Sequence, residues 1–152
     1  MTIAKNRVMT LEEFLDYDDG TEIVVEGDYA NTRIPDLMIL TGEGNSALAA
    51  NKRSMVMLDM PAPALVVEVV SSSDTHKESR DRDYNRKRKE YAERGIAEYW
   101  LVDPIEDWVL VWSLKGRQYT EQKCTGEQRL VSATFPKMEL TAKHLLNAGR
   151  PV

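Results

Sequence analysis

The sequence predicts a single α/β domain, with a central strand buried on both faces, one long helix and an antiparallel hairpin toward its C-terminal end. Three observations predict it. Ala64 to Val70 is a nearly continuous apolar, β-branched run, the pattern of a central strand covered on both faces. Lys77 to Arg94 is rich in helix formers and holds no glycine or proline until Gly95, which stands where a C-cap glycine belongs. Glu98 to Val102, the Asp103-Pro104 turn and Asp107 to Leu114 read as a hairpin, with Trp108, Leu110 and Trp112 alternating against Val109 and Val111. A chain of 152 residues, 1 to 152, has the length of one domain with one core.

The other elements follow in chain order. Thr10 caps a short helix through Leu15, because its hydroxyl can accept an amide hydrogen bond and Glu13 completes a capping box. Thr21 to Glu26 is a short strand around Ile23, Val24 and Val25, with a turn at Gly27-Asp28. Arg33 to Leu40 reads as one further strand, closed by Thr41-Gly42. Gly42 to Ala62 has weak periodicity, and its second half, Ser54 to Asp59, reads as strand or loop. Ser71 to Asp74 is a polar loop with N-cap candidates. Gly116 marks a turn, Gln118 to Lys123 pairs back as a strand, and Thr141 to Asn147 is a short helix capped by Thr141.

Composition excludes several classes of function. No apolar run approaches the ~20 residues of a membrane-spanning helix, so no membrane partner is expected. Met1 to Leu15 lacks the apolar stretch and cleavage site of an export signal, so the expected address is cytoplasmic. Cys124 is the one cysteine and cannot form an internal disulfide. With only two histidines beside it there is no zinc-binding set, so the ligands of any metal must be oxygens. The net charge of −5 is not that of a global nucleic-acid binder. Basic residues do cluster locally, however, at Arg80, Arg82, Arg86, Lys87, Arg88 and Lys89, interrupted by Asp81 and Asp83.

Chemistry is suggested by Pro35-Asp36 within a strand, Glu68 within the most apolar strand, and Lys87 on the long helix. A carboxylate in a buried strand is costly unless it is protonated, paired or bound to a cation. Two carboxylates on adjacent strands could share one ion. With the Val69 carbonyl and several waters, Asp36 and Glu68 suit the octahedral preference of Mg²⁺ or Mn²⁺. Asp83, Lys87 and Tyr91 recur every four residues and share one helix face, with Arg80 at the start of the stripe. If that face packs near Glu68, Lys87 is delivered to the ion, where it could orient water and stabilise charge on a phosphate. Asp83 and Tyr91 would hold its ammonium and the helix in register. Arg82, Arg86 and Lys89 would face elsewhere, toward a phosphate backbone, and Arg80 is expected to contact nucleic acid with Arg82 and Arg86.

Each of these residues has a plainer reading. Asp36 could be a strand-start aspartate after a proline, Glu68 a structural ion pair with an arginine, and Lys87 a solvated lysine on a basic helix. The Ser71 hydroxyl could assist the site, but a serine after a strand is more often a turn or cap residue. Tyr99 and Trp100 fit core packing, and His76 and His144 fit ordinary polar positions.

The segments RIPDLMIL, PALVVEVVSSS, RDRDYNRKRKEYAERGIAEYWLVDP and VSATFPKMEL, from Arg33 to about Leu146, together resemble the Uma-two family of restriction-endonuclease-like proteins, also called domain of unknown function 820 and common in cyanobacteria. The resemblance implies a place in the PD-(D/E)xK nuclease superfamily and its mixed sheet flanked by helices. It implies Asp36 and Glu68 as the two site carboxylates. It also implies that the lysine usually found two positions after the glutamate, where this chain has Val70, has moved to the helix as Lys87. A segment of the family pattern, which often adds an acidic residue and covers one sheet face, is absent between Gly20 and Thr21.

Two functions are therefore expected to compete. One is a Mg²⁺- or Mn²⁺-dependent endonuclease hydrolysing phosphodiester bonds in DNA. The other is an inactive relic of the fold that binds nucleic acid or oligomerises, with a second copy in a homodimer supplying the missing cover.

Overall fold

A computed structural model describes residues 22–25, 32–51, 55–70 and 77–148, leaving aside the side chains of Lys77 and Ser79. The expected Thr10 helix, the Gly27-Asp28 turn, the Ser71 to Asp74 loop and His76 lie outside the described residues. Within them the elements run β1 (Glu22–Val24), β2 (Thr32–Arg33), β3 (Leu37–Ile39), α1 (Gly42–Ala50), β4 (Met55–Val56), β5 (Leu65–Val69) and α2 (Lys77–Arg94). The chain continues through β6 (Glu98–Asp103), β7 (Trp108–Lys115), β8 (Gln118–Cys124) and α3 (Ala142–Leu146).

The chain is a mixed α/β structure with two mixed sheets. The larger has the order β3-β5-β6-β7-β8, and the smaller β2-β1-β4. In the larger sheet β5 and β6 are parallel, with α2 between them in sequence, and the other neighbours are antiparallel. The expected hairpin of β6 and β7 is present, and β8 extends it. Parallel strands need a crossover, and α2 supplies it because its sequence stays helical for 18 residues. Gly95 stops the helix at φ 83°, a conformation costly for a residue with a Cβ.

Side-chain alternation sorts the core onto two faces of the larger sheet. Leu65, Val67, Trp100, Val102, Val109 and Val111 form one cluster with Leu145 and Leu146 of α3. Val66, Val70, Tyr99, Leu101 and Trp112 form the other, together with Tyr91 of α2 and Ile23, Val25 and Val56 from the smaller sheet and its border. Glu68 lies in β5 between Val66 and Val70, so its side chain belongs to the face that α2 covers.

A second carboxylate is buried on the opposite face. Glu98, fully buried, accepts from the Trp100 Nε1–H, the Ser132 hydroxyl and the Thr134 amide. Its three partners satisfy the charge and fasten the loop after β8 to the sheet.

Two expectations need correction. Arg33 to Leu40 is not one strand: β2 belongs to the smaller sheet and β3 to the larger, and the break falls at Ile34-Pro35-Asp36. Proline has no amide hydrogen to give to a ladder, so pairing stops there and the chain changes sheets. Asp36 thus sits at a bend just before β3 rather than inside a strand. Gly42 to Ala50, read as weakly periodic, is a helix. Thr41 is its N-cap and accepts the Gly44 amide at 3.0 Å, so it opens a helix rather than merely closing a strand. The segment Ser54 to Asp59, strand or loop by its sequence, contains the two-residue β4 paired to β1. No described helix is long and apolar enough to cross a membrane.

Candidate active site

The bend at Pro35 and the end of β5 bring two carboxylates together. Leu37 pairs with Val67 in an antiparallel register, and one step further along that register sets Asp36 opposite Glu68. Residues opposite each other in antiparallel strands project to the same face. Asp36 is exposed, and its Oδ2 accepts the Val69 amide at 2.6 Å, which ties it to the residue after Glu68. Glu68 is only 4% exposed. Burial holds its pKa above the ordinary glutamate value. The Lys87 charge and the Tyr91 hydrogen bond pull it back down, and the Asp36 charge pushes it up.

Helix α2 supplies the rest. Asp83, Lys87 and Tyr91 lie one turn apart, and this stripe faces the sheet. The Lys87 ammonium lies 3.3 Å from Glu68 Oε2 and 3.6 Å from Asp83 Oδ2, and 5.0 Å from the centre of the Tyr84 ring. Tyr91 is fully buried and donates its hydroxyl proton to Glu68 Oε1 at 2.7 Å. Its ring stands edge-on to Tyr99 with centroids 5.0 Å apart. Burial and the adjacent Glu68 carboxylate push the Tyr91 pKa far above the ordinary phenol value, so it remains a donor. Tyr91 therefore holds Glu68, whereas the helix spacing alone suggested that it would hold the lysine. Asp83 does flank the ammonium.

The other candidates separate. The Arg80 side chain is 8% exposed and lies 3.6 Å from both Asp81 and Glu106. Arg82 and Arg86 face away from Glu68 and line a groove of about 620 Å³ with Glu78, Asp81, Asn85 and Lys89. Ser71 falls outside the described residues, and His144 donates its backbone amide to the Thr141 cap.

Sequence reasoning missed Arg33 and Glu90. Arg33 Nε and Nη2 donate to the two oxygens of buried Glu90 at 2.7 and 3.1 Å, and Nη1 donates to Asp83 Oδ1 at 3.4 Å. This bidentate pairing raises the Arg33 pKa further. A signal was present: Asp83 and Glu90 are seven residues apart, two helical turns, and so share the face that carries Lys87.

The donor chemistry fits a hard divalent cation. Among the described residues, no three histidine, cysteine, aspartate or glutamate side chains converge as a ready ligand set. The chain's own offer at this place is two carboxylates and nearby backbone carbonyl oxygen. That is the meagre protein contribution typical of Mg²⁺, which keeps several waters and takes oxygens from a phosphate substrate. Glu68 Oε1 accepts the Tyr91 hydroxyl and Oε2 pairs with the Lys87 ammonium, which leaves each oxygen a lone pair.

The family model described as "Putative restriction endonuclease" (Uma2) matches residues 10–143. Among solved structures, the chain is similar to one described as "a putative nuclease belonging to DUF820" from Anabaena variabilis ATCC 29413. The two share 18% identity and superpose with a TM-score of 0.57 over 84% of this chain. The match covers 65% of that structure's own length. No curated protein matches.

Proposed function

The chain belongs to the Uma2 family, and from that premise we propose that it is a cytoplasmic, Mg²⁺- or Mn²⁺-dependent endonuclease that hydrolyses phosphodiester bonds in DNA. The observation that carries this reading is the meeting of Asp36, Glu68 and Lys87. A desolvated carboxylate sits opposite a second, exposed one, with an ammonium 3.3 Å from the first. Positions where burial and specific charges perturb a carboxylate are where chemistry concentrates.

Asp36, Glu68 and the Val69 carbonyl would hold the ion. Its charge, when bound, would polarise the scissile phosphate and acidify the attacking water. Asp36 is oriented by the Val69 amide, and Glu68 by the Tyr91 hydroxyl. Lys87 offers three donors on a flexible stem and stabilises negative charge that develops on phosphate oxygens. Asp83 keeps that ammonium beside Glu68. Arg82 and Arg86, which line the outward groove of α2, would meet the DNA backbone.

The test is plasmid cleavage in Mg²⁺ or Mn²⁺ by the native chain and by Asp36→Ala and Glu68→Ala. The reading requires cleavage by the native chain only. Equal cleavage by all three would identify a contaminant.

A second reading is a non-catalytic module that binds nucleic acid or forms a homodimer. What favours it is that the chain spans only 65% of the solved relative's length, in keeping with a family segment missing between Gly20 and Thr21. It predicts no Mn²⁺ isotherm by calorimetry. A saturable isotherm abolished by Glu68→Ala would dispose of it.

A further inference from the structure

The geometry points to Arg33 as a positioning residue: through Asp83 it fixes the Lys87 ammonium against Glu68, and it ties the segment that carries Asp36 to the helix that carries Lys87. Its bearing on catalysis rests on the roles proposed for Asp36, Glu68 and Lys87 above; the clamp itself does not.

Arg33 ends β2, in the smaller sheet, three residues before Asp36 and with the stiff Pro35 between them. Its guanidinium spans to α2. The fork is pinned by Glu90, whose carboxylate is 3% exposed and takes both Nε and Nη2. A carboxylate so buried is costly unless it is paired or hydrogen-bonded, and Glu90 takes both of its hydrogen bonds from Arg33, which sets the direction of the fork. The remaining nitrogen, Nη1, then meets Asp83 Oδ1 at 3.4 Å.

Asp83 is the coupling element. Its Oδ1 faces Arg33 and its Oδ2 faces Lys87, so one carboxylate bridges two cations. The Asp83 side chain is 46% exposed and would be free to turn toward water without Arg33. Lys87 has a long stem with large rotamer freedom, and Glu68 at 3.3 Å with the Tyr84 ring face at 5.0 Å is a weak restraint on it. With Asp83 held, the ammonium has a second carboxylate anchor. Lysine at position 33 could not reproduce this, because an ammonium cannot engage Glu90 through two nitrogens and reach Asp83 with a third.

The experiment uses the full chain labelled with ¹⁵N-lysine, free of metal and substrate, and follows hydrogen exchange at the Lys87 ammonium, assigned by its loss in Lys87→Gln. In Arg33→Gln and Arg33→Lys the exchange should accelerate by about twofold, the scale of one partly exposed i,i+4 ion pair such as Lys87–Asp83. Asp83→Asn should do the same with Arg33 still in place. That second variant leaves the Arg33–Glu90 pair intact, so it gives an answer even if the loss of Arg33 unfolds the protein. Unchanged Lys87 exchange in folded Asp83→Asn would overturn the assignment. A purely structural role for Arg33 would lower the melting temperature and leave this resonance alone, which also overturns it. Failure of the native chain to cleave DNA would count against the nuclease reading and leave the exchange comparison standing.

Discussion

Tyr91 donates its hydroxyl proton to Glu68 Oε1 at 2.7 Å, and both side chains are buried. The hydrogen bond favours the charged carboxylate, while burial opposes it and is the larger effect. Tyr91→Phe keeps the ring against Tyr99 and removes only the donor. The Glu68 pKa should therefore rise further, as read from its side-chain carboxyl resonance in a ¹³C titration. Stability should fall by about 1.5–3 kcal/mol, the usual worth of a buried hydrogen bond to a charged group. A Glu68 titration identical to that of the native chain would show that the hydroxyl does not act on the carboxylate.

Glu68 should also leave its mark on stability against pH. Its folded pKa lies above the ordinary value, so between the two values the folded state binds more protons than the unfolded state. Its contribution is thus fully present below the unfolded value and is lost as pH rises through the folded one. Chemical denaturation from acid to neutral pH should show this decline, and Glu68→Gln, which cannot ionise, should flatten it. A slope in Glu68→Gln equal to the native slope would place the pH dependence elsewhere.

How much of this was legible depends on whether the cause was local. The bounds of α2 could be read because helix formers run without a breaker to Gly95, and β5 because its β-branched run is interrupted once, at Glu68. The passage from Arg33 to Leu40 looked like one strand because its apolar residues are continuous. Pro35 was the clue to the break, but only the pairing of β2 with β1 and of β3 with β5 shows that two sheets are involved. Helix α1 was hidden by Gly42 and Gly44, which weaken helix propensity. The contact of Arg33 with Glu90 spans 57 positions and has no local signature. The stripe Asp83, Lys87, Tyr91 was visible by spacing, but which acceptor the Tyr91 hydroxyl reaches was settled by packing.

Gly95 tests the helix stop. At φ 83° an alanine would be strained, although its Cβ would meet only the Ala62 Cβ at 4.0 Å, an ordinary contact. The cost of Gly95→Ala is therefore conformational, about 1–2 kcal/mol. For a domain of this size that lowers the melting temperature by roughly 2–8 °C. A melting temperature equal to or above the native one would mean that the chain relaxes out of the left-handed region.

Arg80 and Arg82 stand two residues apart on the same helix, and the proposed DNA contact should separate them. Arg82 is exposed on the outward groove. Arg80 is nearly buried and lies beside Asp81 and Glu106, so its charge is already countered within the protein. A side chain that meets a phosphate releases counterions, and its loss reduces the slope of log affinity against log salt by ~0.9. Arg82→Ala should show that reduction in a fluorescence-anisotropy titration of duplex DNA at several salt concentrations. Arg80→Ala should leave the slope as it is and lower thermal stability instead, because it removes packing and leaves Glu106 with one fewer cation. The reverse pattern, with the slope falling for Arg80 and not for Arg82, would place the DNA on the sheet side of α2 rather than along its outward groove.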